Sequence, residues 1–135
     1  MFRIHDVHEY GEETADATMF VFGDLTFEPD GFRLTYREEE GDLAGCTTQV
    51  IYRNDDLVTV SRIGPVTTNL TMERGKRHHC RYETEYGTLL MGVFAETVET
   101  DMTEHGGELR FLYTIDFDGD FVSRNTLHIT VKETN

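Results

Sequence analysis

The residues with the clearest capacity for chemistry form a basic stretch, Arg74-Gly75-Lys76-Arg77-His78-His79-Cys80-Arg81. It holds four of the twelve Lys and Arg residues and no acid, whereas residues 82–109 contain seven acids and neither Lys nor Arg. Such a concentration of positive charge suits an anionic ligand, such as a phosphorylated metabolite or a carboxylate. If the alternate residues of this strand point inward, Arg77, His79 and Arg81 form an exterior cationic stripe. The alternative is a solvated hairpin whose charges balance acidic neighbours.

Other arrangements of reactive side chains are sparse. The six histidines and two cysteines invite a metal site, but His78 and His79 project to opposite faces of a strand, and no CxxC, HxxxH or HExxH motif occurs. Neither serine lies in a GxSxG elbow, and the sequence has no glycine-rich phosphate loop. We therefore predict no catalytic residues, no metal site and no cofactor. An enzyme that uses the abundant carboxylates is the third functional alternative.

The charge of the whole chain argues against two classes of partner. Its 135 residues include 12 Lys and Arg against 26 Asp and Glu, for a formal net charge of −14. Such a charge repels phosphate backbones and anionic lipid surfaces, so we expect neither direct nucleic-acid binding nor membrane association. The N-terminus lacks the apolar core of a signal peptide, which predicts a cytoplasmic protein. In that compartment Cys46 and Cys80 are expected to be reduced and packed.

Composition and periodicity predict strands throughout the chain. Thr occurs 19 times and Ala only 4 times, which favours β-structure over helix. Within residues 109–117, large apolar or aromatic side chains alternate with mostly polar ones, as in a strand with one buried face. Pairs such as Asp118-Gly119 and Gly106-Gly107 are typical of hairpin turns between such runs. The predicted strands span residues 2–9, 15–28, 31–37, 46–53, 57–63, 66–73, 77–85, 88–100, 108–118 and 121–132.

A linear series of hairpins without crossover helices predicts one domain over residues 1–135. We expect an all-β fold, a single antiparallel up-and-down β-barrel of about 8–10 strands with little or no helix, and a two-sheet sandwich is the second architecture. Gly23 and Gly92 interrupt two long strands, where a bulge or bend would let the sheet curl. In the last strand Phe121, Ser123 and Asn125 share an inward-facing row. Buried polar groups on that row require partners, which a neighbouring strand, a water or a ligand would supply.

Four segments are similar to a known family. They are Leu34–Glu39, Val60–Val66 with Asn69 following, Tyr82–Leu89, and the last strand around Asn125. The match as a whole spans about residues 14–132 in order. On these segments the chain resembles the YwiB-like bacterial proteins, a family of undefined function. The resemblance implies a calycin-type (lipocalin-like) β-barrel, and it implies neither a reaction nor catalytic residues.

The polar and aromatic residues within these segments are the candidate ligand-binding positions. Small closed barrels either fill with side chains or hold one small ligand. We therefore predict a non-enzymatic cytoplasmic barrel that binds a small molecule, anionic or partly apolar, in the barrel or at its mouth. The alternative is a protein-interaction module whose acidic surface meets a basic partner. The candidate positions are Tyr36, Arg62, Asn69, Tyr82, Tyr86 and Asn125.

Overall fold

The computed structural model describes residues 1–39, 44–54, 56–64, 67–84 and 86–133, with the backbone alone described at 82–84. All regular secondary structure in these residues is β-strand. The described residues contain no helix long and apolar enough to cross a membrane. The strands are β1 (Phe2–Tyr10), β2 (Glu13–Val21), β3 (Gly23–Glu28), β4 (Gly31–Arg37), β5 (Thr47–Arg53), β6 (Leu57–Ile63), β7 (Thr67–Glu73), β8 (Arg77–Thr84), β9 (Gly87–Thr103), β10 (Gly106–Phe117) and β11 (Asp120–Lys132).

The strands form an antiparallel sheet in the order β2-β1-β11-β10-β9-β8-β7-β6-β5-β4-β3. The sheet follows the chain as a meander, and β11 returns to pair with β1 from Phe2–Val131 to Glu9–Arg124. The prediction of an all-β antiparallel fold is confirmed for the described part of the chain. Strands β2 and β3 lie at the two ends of the sheet, although only Phe22 separates them in sequence. Within the described residues no ladder joins β2 to β3.

One face of the sheet, here called the inner face, carries the hydrophobic core. Along β4, for example, Phe32, Leu34 and Tyr36 are buried while the residues between them are half-buried. This period of two is the pattern of a strand with one face on a core. Burial of each large aliphatic or aromatic side chain contributes about 1.5–3 kcal/mol. The fully buried apolar side chains include Phe2, Leu34, Val50, Val58, Val60, Met72, Val93, Leu109, Phe111 and Ile129.

The predicted strand over residues 15–28 is divided, so the expected number of about 8–10 strands is too low: the described residues form eleven. The division falls at Gly23, where the backbone passes close to β1 and β4. A Cβ at Gly23 would lie 2.6 Å from Cε2 of Phe2 and 2.5 Å from the carbonyl oxygen of Thr35. Only glycine permits this approach, so the predicted interruption is present at this glycine.

The prediction that Phe121 shares the inward-facing row with Ser123 and Asn125 is wrong. Ser123 pairs with Ile115, but the next pair is Phe121 with Asp116, so Val122 is an additional residue in β11. A bulge of this kind shifts the residues beyond it to the opposite face. Phe121 is therefore exposed, whereas Ser123 and Asn125 are buried.

One of the two predicted turns is confirmed and the other is misplaced. Asp118 and Gly119 adopt φ of 52° and 87° and connect β10 to β11, as expected for a tight hairpin. Gly106-Gly107 lies inside β10, and the turn is formed by Glu104 and His105 instead. The hydroxyl of Thr103 accepts a 3.2 Å hydrogen bond from the backbone N–H of His105. This bond stabilises the turn at residues 104–105, two residues before the predicted pair.

Both cysteines are buried and neither forms a disulfide within the described residues, which confirms the prediction of packed thiols. Cys80 lies where the pairing of β7 with β8 is interrupted. Its Sγ accepts a hydrogen bond of 3.3 Å from the backbone N–H of Thr71 on β7. Burial raises the pKa of the Cys80 thiol, so the thiol stays protonated and unreactive at neutral pH.

Candidate functional site

One part of the inner face is polar rather than apolar. We call it the polar end; its members come from β1, β4 and the residue after it, β5, β6, β7, β10 and β11. Polar side chains on an inner face lose hydration, so each needs a partner inside the protein, in water or in a ligand. The members of the polar end are Asp6, His8, Tyr36, Glu38, Thr48, Arg62, Thr68, Tyr113, Ser123 and Asn125.

Arg62 is the cation of the polar end. Its side chain is only 14% exposed, and its Nε donates to Oε2 of Glu38 at 3.3 Å. The same carboxylate oxygen accepts a 2.7 Å hydrogen bond from the hydroxyl of Thr48. Burial alone would lower the pKa of Arg62, but Tyr36, Glu38 and other acidic groups around it raise that pKa, so the guanidinium stays charged. Glu38 and Arg62 therefore form a buried ion pair whose acid has a second donor.

A second chain of contacts begins on β1. The ring Nδ1 of His8 hydrogen-bonds with Oδ1 of Asn125, whose amide donates to Oγ of Ser123 at 3.0 Å. Because Asn125 Oδ1 only accepts, Nδ1 of His8 must carry a proton. In the neutral ring the other nitrogen, Nε2, then has a lone pair, and it lies 3.6 Å from Oδ1 of Asp6.

Two tyrosines complete the inner wall. Tyr36 and Tyr113 are both buried, and burial is the main reason that the pKa of each phenol is raised above its ordinary value of 10.0. The phenols thus remain protonated at neutral pH, and a protonated phenol hydroxyl can donate one hydrogen bond. The charge of Asp6 also raises the pKa of each phenol, and that of Arg62 lowers it.

One hydroxyl of the polar end is unpaired. Thr68 is 6% exposed, and its Oγ1 has no hydrogen-bond partner among the described residues. It stands directly opposite Arg62 in the pairing of β6 with β7. Directly opposite residues in an antiparallel pair have Cβ atoms about 4.5–5.5 Å apart. The side chains of Thr68 and Arg62 therefore project from the same face as direct neighbours.

The polar end is open to solvent beside β2. Ala15 and Ala17 stand opposite His8 and Asp6, respectively, and so project from the same face. Both alanines are exposed, whereas Val21, on the same side of β2, is buried. Beside these two methyl side chains, the side chains of Asp6 and His8 remain partly exposed.

Asp6 is expected to destabilise the folded protein at neutral pH. Burial raises its pKa above the ordinary value of 3.8, more than the nearby His8 and Arg62 lower it. A raised folded-state pKa contributes stability below the unfolded value, and that contribution is lost as pH rises through the folded pKa. We therefore expect Asp6→Asn to raise the free energy of unfolding at neutral pH, with a gain that shrinks as pH falls towards about 4.

Urea unfolding across this pH range measures the effect, with Asp101→Asn at an exposed position of β9 as the matched control. A gain for Asp6→Asn that is independent of pH would contradict the interpretation. A loss of stability at neutral pH would do so as well.

Three of the six predicted ligand-binding residues lie on the inner face: Tyr36, Arg62 and Asn125. Asn69 lies apart on the outer face, where its Oδ1 accepts a hydrogen bond from Ser61. Tyr86 is 92% exposed in the turn between β8 and β9, well outside the inner face. The side chain of Tyr82 falls outside the described residues.

Sequence reasoning missed several members of the polar end, notably Asp6, His8, Glu38, Thr68 and Tyr113. The signal that identifies them is strand phase. Asp6 and His8, for example, continue the even-numbered row that begins with the buried Phe2 and Ile4.

The basic stretch lies on the outer face. Arg77, His79 and Arg81 are exposed and the intervening Cys80 is buried, as the predicted alternation requires. Arg77 forms two hydrogen bonds to the carboxylate of Asp116 across β9, where Gly92 has no side chain to obstruct the contact.

Other cations of the basic stretch are also paired. Arg74 binds Asp56 at 2.8 Å, and Lys76 binds Glu73 at 2.9 Å. Much of the positive charge of the stretch is therefore balanced by acids of the same chain.

These features define an antiparallel β-protein, without helix in the described residues, that has a polar, partly open end on its inner face. Residues 3–129 match the model of a domain of unknown function, DUF1934, and the chain belongs to that family. The structure is similar to the crystal structure of the ywiB protein from Bacillus subtilis, with a TM-score of 0.86 and 20% sequence identity, over 99% of this chain and 90% of that one. These findings confirm the YwiB-like resemblance. No curated protein has significant sequence similarity to the chain.

Proposed function

We propose that this protein binds a small molecule at the polar end and that its sheet coils into a calycin-like barrel around that site. The observation that carries the proposal is the unpaired Thr68 hydroxyl opposite the buried Arg62. A buried hydroxyl without a partner costs about 1–3 kcal/mol. A bound molecule that hydrogen-bonds with it removes this cost.

The coiling of the sheet is supported by contacts between strands far apart in its order. The rings of Phe2 on β1 and Tyr36 on β4 meet edge to face, with centroids 6.0 Å apart. Gly23 on β3 likewise lies so close to β1 that a Cβ there would be 2.6 Å from Cε2 of Phe2. In a barrel of this kind β2 and β3 act as two halves of one bent strand, and the polar end lies at its mouth.

The destabilising position of Asp6 also supports a binding role. Sites selected for function retain groups that lower the stability of the fold. Asp6 is part-buried and lies beside the opening formed by Ala15 and Ala17. A structural role alone would favour a neutral side chain there.

The test fills the opening without altering the core. Ala15→Trp places an indole opposite His8, whereas Thr14→Trp places the same bulk on the other side of the same exposed strand. Native mass spectrometry on the freshly purified proteins, compared with spectra under denaturing conditions, measures non-covalently bound mass. We expect wild type and Thr14→Trp to carry a small molecule that Ala15→Trp lacks.

Two outcomes contradict the proposal. One is wild-type protein free of bound mass from several growth conditions. The other is Ala15→Trp protein with the occupancy of wild type.

A further inference from the structure

We infer that the free edge of β2 binds an extended, basic segment of another protein, which adds to the sheet as a further strand. The edge is formed by backbone groups that point away from the polar end, so its role is independent of the proposed function. The sequence predicts, as its alternative function, an acidic surface that meets a basic partner. Strand β2 is the part of that surface with a defined way of binding one.

The backbone of β2 has unpaired hydrogen-bonding groups along one edge. Met1 and Lys132 exchange two hydrogen bonds, so the backbone groups of Met1 point to β11. In antiparallel strands these groups alternate sides from one residue to the next. Phe2 and the other even-numbered residues of β1 therefore bond to the odd-numbered residues of β2, in an unbroken register. The even-numbered residues of β2 point their N–H and C=O groups away from β1; they are Thr14, Asp16, Thr18 and Phe20.

This edge is long and unprotected. Strand β2 is the first in the order of the sheet, so within the described residues no strand pairs with its edge, and residues 13–18 are exposed on both faces. Natural edge strands are commonly protected from pairing by lysine, proline or a bulge. Residues 13–21 contain neither lysine nor proline, and their pairing with β1 has no bulge. The edge is therefore suited to β-augmentation, in which a partner contributes one strand.

The charge around β2 indicates the chemistry of the partner. Residues 4–32 contain eight acids and neither Lys nor Arg. Glu12 and Glu13 are exposed at the start of the edge, and the side chain of Asp16 is 60% exposed in its middle. These acids attract a segment rich in Lys or Arg, whereas a second copy of this chain would bring eight more acids to the edge. The edge thus favours a basic partner over self-association.

The other end of the edge is apolar. Phe20 and Phe22 are 65% and 70% exposed. Neighbouring exposed apolar side chains, unlike isolated ones, mark surfaces that bind other proteins. The segment that binds is therefore expected to carry apolar side chains beside these rings as well as its basic residues.

Two capped nine-residue peptides of opposite charge test the inference. Lysine alternates with valine in one peptide, and glutamate replaces lysine in the other. Each is titrated into ¹⁵N-labelled full-length protein, and hydrogen exchange of the backbone amides is followed by NMR. In the free protein the even-numbered amides of β2 should exchange faster than the odd-numbered ones, which are bonded to β1. We expect only the lysine peptide to bind and to slow exchange of the even-numbered amides.

Thr18→Pro removes one outward N–H and places a ring where the added strand would lie. Proline is tolerated where the N–H of an edge strand faces solvent, so the variant should fold, which urea unfolding verifies. Thr18→Val keeps the N–H and is the matched control. We expect Thr18→Pro to weaken binding of the lysine peptide at least about tenfold, and Thr18→Val to bind it as wild type does.

A double charge reversal tests the acids without altering the backbone. Glu12→Lys combined with Glu13→Lys should weaken binding of the lysine peptide about threefold or more, because two attractive charges become repulsive. The control, Glu99→Lys combined with Asp101→Lys, makes the same change in net charge at exposed positions of β9. It should bind the peptide as wild type does.

Several outcomes would overturn the inference. Lysine-peptide binding that Thr18→Pro leaves unchanged would exclude the edge of β2. Equal binding of the glutamate peptide, or binding of neither peptide, would exclude a basic partner. A dimer of the free protein that light scattering detects and Thr18→Pro dissociates would assign the edge to a second copy instead. The mass comparison of Ala15→Trp with Thr14→Trp decides the proposed function independently of all these results.

Discussion

Replacement of Phe111 by alanine is expected to lower the free energy of unfolding by about 3–5 kcal/mol. Phe111 is fully buried on β10, between Val98 of β9 and Leu127 of β11. Its ring also packs on that of Tyr113, with centroids 5.8 Å apart. The truncation removes apolar burial and leaves a cavity that the two neighbouring ladders cannot close. Equilibrium urea unfolding followed by circular dichroism measures the loss.

Phe20→Ala is the matched control for this prediction. Phe20 is 65% exposed on β2, so its removal should change the free energy of unfolding by less than about 0.5 kcal/mol. Equal losses for the two variants would contradict the assignment of the inner face.

Arg62→Met is expected to lower the free energy of unfolding by about 3–5 kcal/mol, because it leaves the buried carboxylate of Glu38 without its cation. Methionine keeps most of the volume of the side chain, so the loss reports charge rather than a cavity. Glu38→Gln on its own leaves the guanidinium of Arg62 without its counter-ion, with the same effect. In the double variant both charges are gone, and the stability should recover most of the loss. Urea unfolding of the four proteins gives the coupling energy between the two side chains.

Arg110→Met provides the control, since Arg110 is exposed on the outer face of β10. Arg110→Met should change the free energy of unfolding by no more than about 0.5 kcal/mol. If the losses of unfolding free energy for Arg62→Met and Glu38→Gln simply add in the double variant, the two groups do not form a buried pair.

Much of the fold is predictable from the sequence because strand phase and turn residues are local signals. The alternation in residues 109–117 gave β10, and Asp118-Gly119 gave its hairpin. The misplaced features depend on contacts between distant residues. The division at Gly23 follows from the ring of Phe2, and the outward turn of Phe121 follows from one additional residue, Val122, in β11.

The candidate site was only partly predictable for the same reason. Tyr36, Arg62 and Asn125 were identified within family-like segments, and each lies on the inner face. The partner of Arg62 is Glu38, which stands 24 residues earlier, and His8 contacts Asn125 across 117 residues. Such pairs depend on how β1 pairs with β11 and how β4 to β6 align. Strand phase places Asp6 in the row of Phe2 and Ile4, but no local pattern shows which distant groups surround it.

The most direct test of the polar end is a high-resolution crystal structure of protein purified without added ligand. We predict electron density for a small organic molecule within hydrogen-bonding distance of Asp6 and of the Thr68 hydroxyl. A polar end filled by its own side chains, with Thr68 and Asp6 satisfied by protein groups alone, would contradict the account.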